Sequence, residues 1–267
     1  MTYFIRIVLI SFLFIQTSNS FGQPPVGHWT FEPGEEFTDR SENFDPIQLK
    51  NAEIKNGCLF LDSARYAYTL GYSGPNIDAD KTLITWLYLD DLEALSGITV
   101  SIEAYGNDFL DAITYHGLYT EKWSIGSDNW NRSNVNDHGA IETDTVNLIQ
   151  IAATYKSISD DSIRITLYRN GELYDSYNSA KSDVYYTGST HVKFGYYGNT
   201  TTDAYIWIHC RVEEARIYNR ALSQEEIRNL KIVKTSTYKW LYWLIGGLLF
   251  VIIAVILFRK LKYEKTQ

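Results

Sequence analysis

Cysteine is scarce here: Cys58 and Cys210 are the only two in 267 residues. With two cysteines and five scattered histidines in no paired motif, a zinc centre has no ligand set to draw on. No G-x-S-x-G and no H-E-x-x-H occurs, so neither a hydrolase elbow nor a zinc-protease helix is present. Internal repeats and low-complexity tracts are absent. Positive charge is also short, 24 Lys and Arg against 32 Asp and Glu. Five net positive charges sit in Arg6, Lys239 and the last nine residues, which leaves −13 on residues 23–238. Such an acidic body argues against nucleic acid and anionic membrane surfaces, and suits cations and neutral or basic ligands.

What the chain does have is aromatic and apolar surface. Tyrosine occurs 21 times and tryptophan 7 times, and 45% of residues are hydrophobic. Rings of this kind fit pleated, half-buried strands, and some are left for ligand contacts.

The two ends read as targeting segments. Arg6 followed by the apolar run IVLISFLFI, with small residues at Ser20 and Gly22, predicts a signal peptide over 1–22, cleaved before Gln23. That run of about nine residues is too short to span a bilayer. Residues 240–258 carry no charge and would extend roughly 28 Å as a helix, close to the hydrocarbon thickness. Trp240, Tyr242 and Trp243 mark one end; Arg259, Lys260, Lys262 and Lys265 crowd the other. The expectation is a transmembrane helix over 239–258, with a basic cytoplasmic tail at 259–267 and residues 23–232 outside.

Between the ends, short β-branched and aromatic runs alternate with polar loops. Strands are expected at 26–32, 57–61, 66–70, 82–89, 97–103, 111–116, 121–125, 146–155, 162–168, 172–177, 191–197 and 204–218. Asn170-Gly171 is a hairpin turn signal. Residues 212–227, VEEARIYNRALSQEEI, form a strand, a stop and a helix start. Ser223 with Glu226 makes a capping box, and Leu222 with Ile227 a hydrophobic staple. The fold class predicted is all-β, a two-sheet antiparallel sandwich.

Residues 212–227 closely resemble the closing signature of laminin-G-like jelly-roll domains, in the concanavalin A-like lectin/glucanase superfamily. His28-Trp29-Thr30-Phe31-Glu32, the TLITWLYLD run at 82–90, and IAATY at 151–155 followed by LYRNGEL at 167–173 fit that family in order. The resemblance runs from about Val26 to Leu230 and implies a jelly roll. It leaves function open, because this fold hosts lectins, adhesion modules, hydrolases and spacers.

Asp39-x-Ser41-x-Asn43-x-Asp45 is an oxygen-bearing run suited to a hard cation. The resemblance assigns Asp39, Asn43 and Glu213 to one structural calcium ion, although Glu42 and Glu213 stand where the family has Gly and Asp. It also brings the strands of Cys58 and Cys210 together, so a disulfide is expected in an oxidising compartment. The family's glucanases use E-x-D-x-x-E; the nearest string, Glu142-x-Asp144-x-x-Asn147, lacks the third acid. Loop-borne Tyr115, Trp123, Asn129, Trp130, Asn131, Tyr196 and Tyr197 are candidates for sugar contacts. Asn131-Arg-Ser and Asn199-Thr-Thr are glycosylation sequons. The function expected is non-catalytic recognition of an extracellular or periplasmic glycan. The alternatives are a protein-binding adhesion or sensor module acting through a membrane partner, and a diverged glycan hydrolase.

Overall fold

The computed structural model describes residues 22–62, 65–93, 97–104, 110–115, 121–126, 139–184, 190–197 and 206–234, and beyond them 244, 246–250, 253 and 256. The chain divides into two units after Ile232. The described residues of the second unit beyond Lys234 are helical. Among the described residues no helix is long and apolar enough to cross a membrane. Most of the expected 239–258 span, and the expected signal peptide up to residue 21, lie outside the described residues.

The first unit is an antiparallel two-sheet sandwich. Its larger sheet runs in the order β12 (Glu172–Ala180), β11 (Ser162–Arg169), β10 (Ile149–Ser157), β6 (Lys81–Leu89), β16 (Cys210–Tyr218), β4 (Cys58–Leu61) and β3 (Glu53–Lys55). The first strand, β1 (Gly27–Trp29), pairs with β16 off this path. The six-stranded sheet runs β2 (Gln48–Lys50), β5 (Tyr66–Tyr68), β13 (Thr190–Phe194), β7 (Gly97–Ala104), β8 (Leu110–Tyr115) and β9 (Trp123–Gly126). A small ribbon joins β14 (Tyr196–Tyr197) to β15 (Ile206–Trp207).

Period-two alternation decides what each strand gives the core. Leu83, Leu87 and Leu89 of β6 and Ile151, Ala153 and Tyr155 of β10 point inward, meeting Val100, Ile102, Ile113 and Val192 of the facing sheet. Trp29 and Phe31 are fully buried; Trp29 packs against Phe44 and Phe194 with centroids 5.2 and 5.7 Å apart. β6 is apolar on both faces because its outer face is also covered. Ile84 and Trp86 join Ala152, Tyr218, Leu222 and Ile227 in a second cluster under α1 (Gln224–Asn229). Helix α1 starts on the capping box that the sequence predicts: Ser223 accepts from the Glu226 amide, and Glu226 accepts from the Ser223 amide at 2.8 Å. Leu222 and Ile227, the predicted staple, are both buried in that cluster.

Asn170 and Gly171 both take positive φ, 52° and 77°, and close the β11–β12 hairpin. Three expectations change. Polar three-residue edge strands β2 and β3 are added. The expected strand at 191–197 breaks at Gly195, which takes a φ of 94° and, having no Cβ, lets the Arg65 carbonyl pass within 2.8 Å of where one would stand. The expected strand at 204–218 is two strands. The closing strand β16 also contains a bulge between Val212 and Glu214. It explains why Cys210 and Val212 face inward, and then Ala215 and Ile217 do, with an odd step between.

Candidate functional site

The disulfide expectation is corrected. β4 and β16 are neighbours, as the resemblance implies, but Cys210 pairs with Leu61. Cys58 lies three residues further along β4, an odd offset, so the two side chains point to opposite faces. Both are held as buried thiols. Cys210 packs in the sandwich core, and burial pushes its thiol pKa well up. Cys58 Sγ donates to Glu213 Oε2 at 3.2 Å.

Asp39 is buried, and its carboxylate is already occupied. Oδ1 accepts from the His28 amide at 2.7 Å and the Ser41 amide at 3.0 Å. Oδ2 accepts from the Ser41 hydroxyl at 2.6 Å, the Asn43 amide at 3.0 Å and the Phe44 amide at 2.9 Å. Asn43 turns its amide nitrogen to the Val26 carbonyl at 3.0 Å. Glu213 is engaged elsewhere, by Cys58. Among the described residues no group of three or more His, Cys, Asp or Glu is placed to hold a metal. Asp39 ties the 39–44 loop to β1 through these bonds.

Two candidate sugar contacts turn out to be interior. Tyr115 and Trp123 are core residues whose rings pack 5.1 Å apart. They sit on β8 and β9 with inward parity, rather than on loops. The Tyr115 hydroxyl donates to the Leu92 carbonyl at 3.0 Å, and burial pushes its pKa up. Tyr196 and Tyr197 lie in β14, their backbones paired with Trp207 and Ile206. Asn129, Trp130 and Asn131 lie outside the described residues.

The Glu142 string has a different occupation from chemistry. Glu142 Oε2 accepts from Trp123 Nε1 at 2.7 Å and Arg169 Nε at 2.8 Å, and Oε1 from Arg169 Nη2 at 2.9 Å. Burial raises its pKa, but these hydrogen bonds outweigh burial and hold the carboxyl below the usual range. It anchors the 139–147 segment to β9 and β11. Asp144 caps its own turn through the Val146 and Asn147 amides.

The outward face of the six-stranded sheet carries a row of polar and aromatic side chains. Ala67 is fully buried between two tyrosines, so Tyr66 and Tyr68 both turn outward, half-buried, with centroids 5.8 Å apart. Cross-strand register builds one row from Gln48 through Tyr68, Lys193, Ser101 and Ala112 to Gly126. The Tyr68 hydroxyl donates to Gln48 Oε1 at 2.9 Å. Beside the row, Glu103 accepts from Ser101 Oγ at 2.8 Å, contacts His191 Nε2 at 3.2 Å and pairs with Lys193. Burial raises the Glu103 pKa, yet the bonds from His191, Lys193 and Ser101 win and hold it below the usual range. The face is closed over β7 and β8, where Ser101, Glu103, Leu110, Ala112 and Thr114 are buried and His191 is buried with them, and open towards β2, where Gln48 and Lys50 are exposed. This patch is not among the site candidates expected from the sequence. Its signal was Tyr-Ala-Tyr at 66–68, two rings on one face of a strand with the small residue inward.

The family model described as "Concanavalin A-like lectin/glucanases superfamily" matches residues 66–228. No curated protein sequence matches the chain. Among solved structures, a sialidase from Trypanosoma rangeli in complex with sialic acid superposes with a TM-score of 0.56 at 15% identity, covering 77% of this chain and 32% of that one. The receptor binding domain of botulinum neurotoxin D gives 0.53 at 12% identity, covering 76% and 51%. The neurotoxin D ligand binding domain in complex with N-acetylneuraminic acid gives 0.51 at 13%, covering 76% and 49%. The chain thus spans about a third to a half of the length of these structures. At such identities the likeness is one of fold.

Proposed function

Because the chain belongs to the concanavalin A-like lectin/glucanase superfamily, we propose that it is a membrane-anchored, non-catalytic recognition module whose ligand is a glycan. The observation that carries this reading is the open half of the six-stranded sheet's outward face. There Tyr66 and Tyr68 offer two neighbouring ring faces, flanked by Gln48 and Lys193 in register. Rings of this kind offer an apolar face with a polar rim, which suits a sugar. Lys50 is exposed in register with Tyr66 and carries positive charge on a body that is otherwise acidic, so sugars bearing a carboxylate are the first to test. The sialic acid bound by two fold neighbours supports the choice of probe. The non-catalytic part of the reading is supported by Glu142, whose carboxylate is clamped by Arg169 and Trp123 and cannot turn to a substrate without breaking those bonds. Membrane anchoring rests on the uncharged run at 240–258.

The test is a glycan array probed with the full chain in detergent, run beside Tyr66→Ala and Tyr68→Ala. Binding that falls at least tenfold in either variant, about 1.4 kcal/mol, supports the face. Binding unchanged in both variants removes it. No binding to any glycan overturns the carbohydrate reading and favours a protein ligand, to be sought by crosslinking in the native membrane.

A further inference from the structure

The sandwich core contains a lysine. Lys81 and Asp111 are both fully buried, and Lys81 Nζ lies 2.8 Å from Asp111 Oδ2. Lys81 opens β6 in the eight-stranded sheet; Asp111 lies on β8 in the other, paired with Ile102 and turned inward with it. The pair therefore bridges the two sheets. Tyr155, opposite Lys81 on β10, places its ring 4.9 Å from Nζ. The amine also reaches the Asp78 and Ala79 carbonyls at 3.4 and 3.5 Å.

We propose that Lys81 and Asp111 become joined by an amide bond between Nζ and Cγ as the domain matures. A buried ion pair repays its desolvation poorly, and burial is the largest influence on the Lys81 amine, lowering its pKa. The same pair can hold its protons as a neutral amine and a carboxylic acid. Moving one proton from Nζ to the carboxylate creates both, with no outside base. The amine lone pair then attacks Cγ. A C–N bond forms, an amine proton passes to the carboxyl hydroxyl, the C–O bond breaks, and one water leaves. No redox partner is needed. Held within 2.8 Å by opposing sheets, the reactants have already met the entropic cost of encounter. Asp78 and Ala79, whose carbonyls meet the amine, also line an open pocket of roughly 770 Å³ with Asp80 and Ser157, which places solvent one residue layer from the released water. The product removes two charges from the core and ties β6 to β8 by a bond that reductants cannot open, in a chain whose two cysteines face apart.

The full chain, denatured and digested with trypsin, decides the matter. Residues 66–122 contain one internal cleavage site, after Lys81, and an acylated lysine is not cut. The expected product is 66–122 as one peptide, lighter than its sequence by the mass of one water. Fragmentation should place the link between residues 81 and 111. Asp111→Asn should give the same product, because attack on the side-chain amide expels ammonia and leaves an identical bond. Asp111→Ala should restore the cut. Peptides 66–81 and 82–122 at full sequence mass from the wild-type chain, or 66–122 without loss of water, would leave an ion pair and overturn the proposal. The wild-type digest is decisive even where a variant fails to fold.

Discussion

Replacing Asp39 with alanine tests whether this loop is held by hydrogen bonds or by a cation. Five donors converge on the carboxylate: the amides of His28, Ser41, Asn43 and Phe44, and the Ser41 hydroxyl. Each buried donor left without an acceptor costs about 1–3 kcal/mol. Water will reach some of them, since Ser41 and Asn43 are partly exposed, so the net loss should be near 3–5 kcal/mol rather than the sum. In a domain of about 200 residues that lowers the melting temperature by roughly 10 °C. The assay is thermal unfolding followed by circular dichroism, with calcium and again with chelator. The drop should be the same in both conditions, and the wild-type melt should not respond to chelator. A loss below about 1 kcal/mol would refute the hydrogen-bond account. A wild-type melting temperature that falls with chelator, and does not in the variant, would refute it too and restore the calcium site implied by the resemblance.

Glu142→Gln should cost about 2 kcal/mol in a urea titration, since it weakens a charge-assisted bond to Arg169 across the 139–147 segment; a change inside about 0.5 kcal/mol would show that the clamp is idle. Glu226 is held down to about 2 chiefly by its hydrogen bond from Arg220, which outweighs the opposing effect of burial, with the Ser223 cap adding to it. A depressed carboxyl stabilises the fold above its unfolded pKa of about 4.3, and that contribution fades as pH falls towards 2. The acid limb of the melting curve should therefore flatten in Glu226→Gln, and an unchanged limb would sink this assignment. Thiol labelling without reductant should count two thiols per chain in denaturant and leave Cys210 unreacted when folded; fewer than two in denaturant would reinstate the disulfide.

Much of the fold was legible because its signals are local. The capping box at Ser223, the Asn170-Gly171 turn and the β-branched and aromatic content of β6, β10 and β11 each depend on residues within a few positions of one another. That was enough for an all-β sandwich with a closing strand and helix. Tyr66 and Tyr68 were equally readable in principle, since parity alone sets them on one face; what the strand could not reveal is that this face borders Lys193 and Gln48.

The rest was decided by partners far away in sequence. Parity within a strand does not say which strand lies alongside it or at what offset. Cys58 and Cys210 miss each other because β4 pairs with β16 three residues out of step. Glu213 sits at a bulge, which no pattern within 210–218 announces. Tyr115 and Trp123 lie in the strands expected at 111–116 and 121–125, and they became core because the facing sheet covers the side to which their parity turns them. Lys81 and Asp111, unremarked as residues, meet only when two sheets close. The sequence by itself determined most of the strand segments, the Asn170-Gly171 turn and the closing helix start, through side-chain chemistry and turn and capping signals. Register, bulge and the pairing of sheets belong to the tertiary structure, because they are settled by long-range packing that no single segment encodes.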